Sequence, residues 1–408
     1  MGTINKLFLN WSFLTGCSIL LLSGMLFSCN SQPEPAAIVY DKGIEHGIVF
    51  YEEGRFAGWP ANHGIWNWDN EILVGFIEAD YLDTPGFHTY DWQTARCKYA
   101  RSMDGGLTWT IEDAYERGQT GRGADHVLSE EEAEPPVKLT ESINDFTNPD
   151  FILTFLRANN SHGPSHFYYS NDRGKQWNGP YAFPDLGTSG VATRTDYVVE
   201  GEQELIAFLT VAKDDTVRWR ASASREGRVV LVRTKDGAVN WEIVSLVGPE
   251  PAGFDIMPSS LRLSPTELIS TIRTRTVELH DLMIAYRSDD NGQTWERLRD
   301  PVADTGRAGS PPALVQLNDG RLALGYIYRS EHGSRVCVRF SSDKGTTWSD
   351  EIMLRGGDGA NRDTGYPRMI QRPDGKLLMI YYWNNALVEG GEPYRYIAYT
   401  LFDPDLWK

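Results

Sequence analysis

From residue 41 onward the chain is a succession of short apolar runs separated by turn residues, with no long stretch at helical spacing. The clearest runs are Glu71–Phe76, Phe151–Leu156, Leu205–Val211, Leu268–Ile272, Leu322–Tyr328 and Leu377–Trp383. Gly, Asn or Asp turns often precede them, as at Asn318-Asp319-Gly320 and Pro373-Asp374-Gly375. Runs of this length between such turns predict β-strands. Each lies in a unit that reads as a first strand of few charges, a turn, the apolar strand, a linker, and another strand entering a conserved-looking turn.

That last turn repeats. It reads Ser102-x-Asp104-x-Gly106-x-Thr108-Trp109, then Ser170-x-Asp172-x-Gly174-x-Gln176-Trp177. It returns as Ser288-x-Asp290-x-Gly292-x-Thr294-Trp295 and Ser341-x-Asp343-x-Gly345-x-Thr347-Trp348. A degenerate copy spans Thr234, Asp236 and Trp241, and a faint one with Asp403 and Trp407 ends the chain. The six Trp positions define six units, and a fixed self-similarity of this kind decides the architecture before any other signal. Repeated four-stranded antiparallel units close most naturally as a propeller, which leaves only short edges. The expectation is an all-β, six-bladed β-propeller over residues 41–408, its last blade closed by the strand Gly47–Tyr51. In the repeated turn Asp takes backbone N–H groups, Gly takes the backbone angle other residues resist, and Trp plugs the space between sheets. These Asp residues are therefore expected to be scaffold. The acidic stretch Ile111–Val137 is expected to be a solvated loop between blades.

The N-terminal segment differs. Lys6 precedes an apolar run from Leu7 to Phe27 that ends at Leu26-Phe27-Ser28-Cys29. This is the pattern of an export leader (residues 1–28) with lipidation at Cys29, followed by a polar tether to residue 40. The polar residues inside the run make an uncleaved membrane span the weaker reading. An exported lipoprotein of the cell envelope, held to the membrane by its lipid alone, is expected. Of the four cysteines, Cys17 and Cys29 fall in this segment, and Cys97 and Cys337 are expected to be buried and unbridged.

A net charge of −17 argues against nucleic acid as a partner. It does not argue against an acidic sugar, which a local Arg cluster can hold. No metal-spaced Cys/His cluster, phosphate loop or nucleotide fingerprint is present, so no cofactor is implied. A structural Ca²⁺ stays open, and a monomer is expected.

The repeated turns resemble the Asp boxes of the sialidase superfamily, and the resemblance covers nearly all of the chain beyond the leader. It implies a site on the propeller axis with three arginines clamping a carboxylate, an Asp as acid/base, and a Tyr nucleophile assisted by a Glu. Arg presents a rigid fork to a carboxylate, and a neutral Tyr avoids repulsion from an anionic sugar. Arg55 resembles the first clamp residue, although Phe56-Ala57-Gly58-Trp59-Pro60 follows it in place of Arg-Ile-Pro. Arg273 fits the second. The third is open among Arg307, Arg329 and Arg368. Tyr366, in Gly365-Tyr366-Pro367-Arg368, fits the nucleophile. The Glu would fall near Met257, where there is none, and Asp255 is the nearest substitute. Asp80, Asp83, His88 and Asp91 compete for acid/base. Arg194 joins the set of arginines at strand ends, with Asp196 as a potential ion-pair partner. Several arginines near a core favour an anion site over chance ion pairs, because unpaired buried charge is costly.

The segment from Gly58 to Trp66 reads as a pocket wall, with Trp59 against the substrate and His63 near the axis. Some sialidase-like propellers are α-L-rhamnosidases or rhamnose–glucuronate lyases that rely on a His. Three functions follow: an exo-glycosidase for a terminal acidic sugar using Tyr366, a rhamnose–glucuronate hydrolase or lyase using His63, and a glycan-binding lipoprotein without catalysis.

Overall fold

The computed structural model describes residues 38–40, 43–83, 88–159, 162–213, 226–387 and 390–408. The expected leader, the lipidated Cys29 and the tether as far as residue 37 lie outside the described residues. Six antiparallel sheets form the six blades of a β-propeller.

Blade 1 is built on Glu71–Asp80, which pairs with the split first strand Arg55–Gly58 and Ile65–Trp68 and with Arg96–Ser102, followed outward by Thr110–Asp113. Blade 2 has Ile152–Arg157, Ser165–Ser170 and Asn178–Ala182, three strands rather than the expected four. Blade 3 again has a split first strand, Val191–Ala192 and Tyr197–Val199, both on Leu205–Ala212, then Glu226–Thr234 and Glu242–Leu246. Blade 4 runs Phe254–Arg262, Leu268–Arg275, Asp281–Ser288, Glu296–Arg297, and blade 5 runs Ala313–Gln316, Leu322–Tyr328, Arg335–Ser341, Ile352–Gly356. Blade 6 takes Gly365–Gln371, Leu377–Trp383 and Tyr396–Phe402 from the end of the chain and Ile44–Phe50 from its beginning. Ile38–Tyr40 adds an edge strand to that sheet, so ordered pairing starts before residue 41.

The second strands read as continuous apolar runs because both their faces are covered. Leu205–Ala212 and Leu377–Trp383 are buried along their whole length. The core therefore lies between neighbouring blades. Phe56, Val74 and Phe76 of blade 1 pack with Ile380, Tyr382 and Ile397 of blade 6, and Ile269 and Met283 of blade 4 pack with Leu324 and Tyr326 of blade 5.

The repeated turn consumes its own polar groups. Ser Oγ accepts the Gly N–H at 2.8 Å in Ser102–Gly106, Ser288–Gly292 and Ser341–Gly345. The carboxylate of Asp104, Asp290 or Asp343 accepts the N–H four residues on at 2.9 Å. These carboxylates are engaged in holding their own turns. Cys97 and Cys337 are buried and unbridged.

The acidic stretch is less solvated than its composition suggests. Thr110–Asp113 is the outer strand of blade 1, and Gln119, Asp125 and His126 are buried. The cause is backbone pinning: the Ala124 N–H donates to Arg157 O at 2.8 Å, and the Val127 N–H to Ala95 O at 2.7 Å. The His126 ring accepts the Cys97 N–H and meets Gln119 O, both at 2.9 Å. The segment is thus threaded between blades 1 and 2 and carries Asp125 inward.

Candidate active site

A cavity of about 240 Å³ opens on the axis, at the end where first strands begin and second strands finish. Its walls are contributed by Trp59, Asn62, His88, Tyr90, Asp125, Arg157, Arg194, Phe254, Ile256, Arg273 and Tyr366. The one-turn helix Pro60–His63 crosses the axis beneath it with all four residues buried. Gly75 makes that crossing feasible, since a Cβ there would stand 2.5 Å from His63 Cβ.

The backbone is bent where it meets the cavity. Trp59, His88, Met257 and Tyr366 all have left-handed φ, between 53° and 71°. Bulky residues resist this region, and such outliers gather where surrounding structure holds a site in place. Register shifts at Ile256/Pro258 and Gly365/Arg368 show that Met257 and Tyr366 sit on bulges of their strands. A proline follows each, and its missing N–H removes a ladder bond, which favours a bulge.

Tyr366 is the most strongly conditioned group. Its hydroxyl accepts from Arg273 Nη1 at 3.3 Å. The guanidinium carbons of Arg273 and Arg329 lie 5.9 and 5.5 Å from its ring centroid. Burial works to raise the phenol pKa, but Arg273, Arg329 and Arg194 together outweigh it and hold the phenol below its ordinary value. Its neighbours Tyr90 and Tyr382 are instead pushed up by burial. An alkaline titration of tyrosinate absorbance should therefore show an early-ionising tyrosine that is missing in Tyr366→Phe and moved upward in Arg273→Met. Identical titration of Tyr366→Phe and the unmodified protein would contradict this.

On the opposite wall, Asp125 Oδ2 accepts from Arg157 Nη1 and Asn62 Nδ2, both at 3.0 Å. Burial would neutralise this carboxyl, but Arg157, His63, Arg194 and the Asn62 amide hold it below its ordinary range. His63 Nε2 lies 3.8 Å behind the same oxygen, and burial lowers that imidazole to about 4. His63 is therefore a neutral, enclosed ring and does not line the cavity. Thr154 Oγ1 donates to its backbone oxygen at 2.9 Å, which fixes the plug.

His88 does line the cavity. Its Nδ1 meets Asp363 Oδ1 at 2.9 Å, and its N–H donates to Oδ2 at 3.2 Å. Asp363 also accepts from Arg395 Nε at 2.9 Å and Tyr382 Oη at 3.0 Å. Burial opposes its charge, yet the bond from His88 and the charges of His88, Arg395 and Arg329 hold it far below the carboxylate range. Trp59 packs edge-on to His88 with centroids 5.0 Å apart.

Of the residues picked from the sequence, Tyr366, Arg273, Arg194, Trp59 and His88 meet in this cavity. Arg329 stands behind Tyr366, donating to Thr364 O, to Gly309 O at 3.0 Å and to Tyr382 Oη at 2.7 Å. The others lie elsewhere. Arg55 turns outward to pair with Glu78 at 2.8 Å and with Asp80, because it opens a strand whose alternate residue Phe56 takes the core side. Asp80 and Asp83 are exposed. Asp255 points away from the axis into a second cleft between Lys213 and Arg297, since strand alternation gives the axial face to Phe254 and Ile256. Burial raises its pKa to about 6. Arg368 Nη2 donates to Ala61 O at 2.6 Å and to Thr195 O, so it pins the plug from the far side, facing Asp196. Arg307 is exposed beside Glu331. Met257 stands beside Tyr366 where the Glu was expected, its sulfur 3.6 Å from Arg273 Nη1.

Arg157 and Asp125 went unread in the sequence. For Arg157 a signal existed: the second strands of blades 2, 4 and 5 all exit into arginine, at Arg157, Arg273 and Arg329. Asp125 had none, since it lies in an aperiodic acidic stretch. Among the described residues no group of three His, Cys, Asp or Glu is arranged to hold a metal ion.

The fold and this arginine-walled axial cavity define a propeller of the sialidase superfamily. The chain belongs to the family described as BNR repeat-like domain, whose model matches residues 158–379. Among solved structures it is similar to a protein of unknown function from Dyadobacter fermentans DSM 18053, at 21% identity over 88% of this chain and 98% of that one, with a TM-score of 0.62. The NanB sialidase from Streptococcus pneumoniae is similar at 9% identity over 88% and 70% of the two chains, TM-score 0.57. An α-L-arabinanase from Penicillium chrysogenum, complexed with arabinobiose, is similar at 13% identity over 90% and 99%, TM-score 0.52. Identities this low bear on the fold alone. No curated protein matches the sequence.

Proposed function

We propose that this protein is a glycoside hydrolase that takes a terminal acidic sugar into the axial cavity and cleaves its glycosidic bond. The observation that carries the reading is the composition of the wall. Three guanidinium groups, Arg157, Arg194 and Arg273, face one carboxylate, Asp125, within a protein of net charge −17. A cavity of about 240 Å³, just below the roughly 300–1,000 Å³ usual for ligand pockets, suits a single sugar ring rather than a chain. Arginine is the side chain whose fork matches a carboxylate. The likeness to structures named as a sialidase and an arabinanase is consistent with a glycan ligand.

Tyr366 is the nucleophile in this reading. Its phenolate attacks the anomeric carbon while the glycosidic C–O bond breaks, and water then releases the sugar from the tyrosine. The arginines that bind the substrate carboxylate also lower the cost of forming the phenolate, the task the absent Glu would otherwise share. The Met257 position favours one competing reading, a glycan-binding protein without turnover. The envelope location through a lipid on Cys29 and a monomeric state belong to the same proposal.

The test is product analysis on sialylated, uronate-terminated, rhamnose–glucuronate and neutral glycans. A free acidic monosaccharide is expected. Release of neutral sugars only, an unsaturated uronate, or saturable binding with no product at any protein concentration would each refute the proposed hydrolase.

A further inference from the structure

Cleaving a glycoside of an ordinary alcohol needs a proton on the departing oxygen, and Tyr366 as nucleophile does not supply one. The titratable side chains on the cavity wall, arginines aside, are His88, Tyr90, Asp125 and Tyr366. Asp125 is held ionised by Arg157 and Asn62 and has no proton to give. Burial pushes the Tyr90 phenol up, so it is a poor proton donor to the departing oxygen. Of the aspartates that the superfamily resemblance offered, Asp80 and Asp83 are exposed, Asp91 accepts the Gln93 N–H at 2.9 Å, and none of the three lines the cavity.

His88 has the required arrangement. Asp363, buried and ionised, receives its Nδ1–H at 2.9 Å and is itself anchored by Arg395 and Tyr382. An ionised carboxylate accepts only, so this bond places a proton on Nδ1 and leaves proton exchange to Nε2. Trp59 stands edge-on against the ring and limits its swing. The network Arg329–Tyr382–Asp363 runs from behind Tyr366 to the back of His88, so one set of bonds orients both groups.

We propose that His88, oriented by Asp363, is the acid and base of the reaction. The inference rests on the hydrolase reading above. A Tyr366 phenolate with a His88 imidazolium holds the same protons as the neutral pair. As the phenolate oxygen bonds to the anomeric carbon, the glycosidic electron pair leaves with the alcohol oxygen, which takes the Nε2 proton. Water then bonds to the anomeric carbon, the tyrosyl C–O pair returns to the phenolate, and Nε2 takes the water proton. The sum is glycoside plus water to sugar plus alcohol. Asp363 is a positioning residue.

A leaving-group comparison decides the matter. The probes are 4-methylumbelliferyl α-N-acetylneuraminide and 3′-sialyllactose, or the matching glucuronide pair if the glycan panel returns a uronic acid. An umbelliferone leaves without a proton, whereas lactose does not. His88→Asn keeps a residue that tolerates the left-handed backbone at this position. It should lose about 10²- to 10⁴-fold in kcat on the sugar leaving group and less than about tenfold on the aryl one. Asp363→Asn should show the same split at smaller size. Equal loss on both probes, or none on the disaccharide, overturns the role of His88 and leaves the hydrolase reading standing. No turnover of either probe pair by the unmodified protein refutes that reading, and this one with it.

Discussion

Tyr366→Phe is expected to abolish turnover, by at least about 10⁴-fold in kcat/KM, while the protein stays folded. The size follows from what removal of a nucleophile costs when the rest of a site still binds substrate. The change deletes one oxygen, whose one hydrogen bond among the described residues is with Arg273 Nη1 at 3.3 Å. Arg273 keeps its donation to Ala308 O. The ring itself remains packed against Trp59 and Tyr382, with centroids 6.4 and 6.1 Å away. In the proposed reading the arginines still meet the substrate carboxylate, so KM should move far less than kcat. Steady-state kinetics with a thermal melt on the same sample check both halves. A variant with a tenth of normal kcat would exclude Tyr366 as the nucleophile; a collapsed melt would show that the oxygen is structural.

The second large effect is on stability. Gly47→Val should open the ring closure and lower the unfolding free energy by roughly 3–6 kcal/mol, estimated from burial of two aliphatic side chains. Gly47 lies in the strand Ile44–Phe50, directly opposite Tyr399 of the last strand. The Tyr399 ring lies over the glycine, and a Cβ at residue 47 would stand 2.3 Å from its Cζ. Tyr399 is itself buried in the core shared by blades 1 and 6, so it has little room to yield. The cheaper response is detachment of the strand, which takes Ile44 and Val49 out of the core. Against a typical total of about 5–15 kcal/mol this is severe. Urea unfolding gives the magnitude. Hydrogen exchange locates it, with protection lost over residues 44–50 and 396–402 before other blades. An unchanged urea midpoint would mean that closure contributes little.

Repeats are local, and that is why the architecture was readable from residue order. Ser102 to Trp109 and its copies bond within themselves, so each turn forms from its own residues. The second strands are continuous apolar runs because two neighbouring blades cover them, and Leu322–Tyr328 and Leu377–Trp383 occur within the bounds their apolarity suggested. Blade number, all-β class and closure by an N-terminal strand follow from this periodicity. Tyr366 and Arg273 were picked out by the resemblance to the sialidase superfamily, at the start and exit of their strands, and both line the cavity.

The site as a whole obeys no period. Its groups come from five blades and two connecting segments, and side-chain direction rather than sequence spacing decides which of them meet. Alternation turned Asp255 away from the axis while Met257, one bulge further on, reached Tyr366. His63 looked axial in the chain and is buried away from the cavity, whereas His88 lines the cavity and is bonded there to Asp363, 275 residues later. Asp125 owes its place to backbone bonds with Arg157 and Ala95 that no local pattern announces. Charge adds the last reason: a carboxylate stays ionised in a closed space only beside fixed cations, and those arrive from other blades.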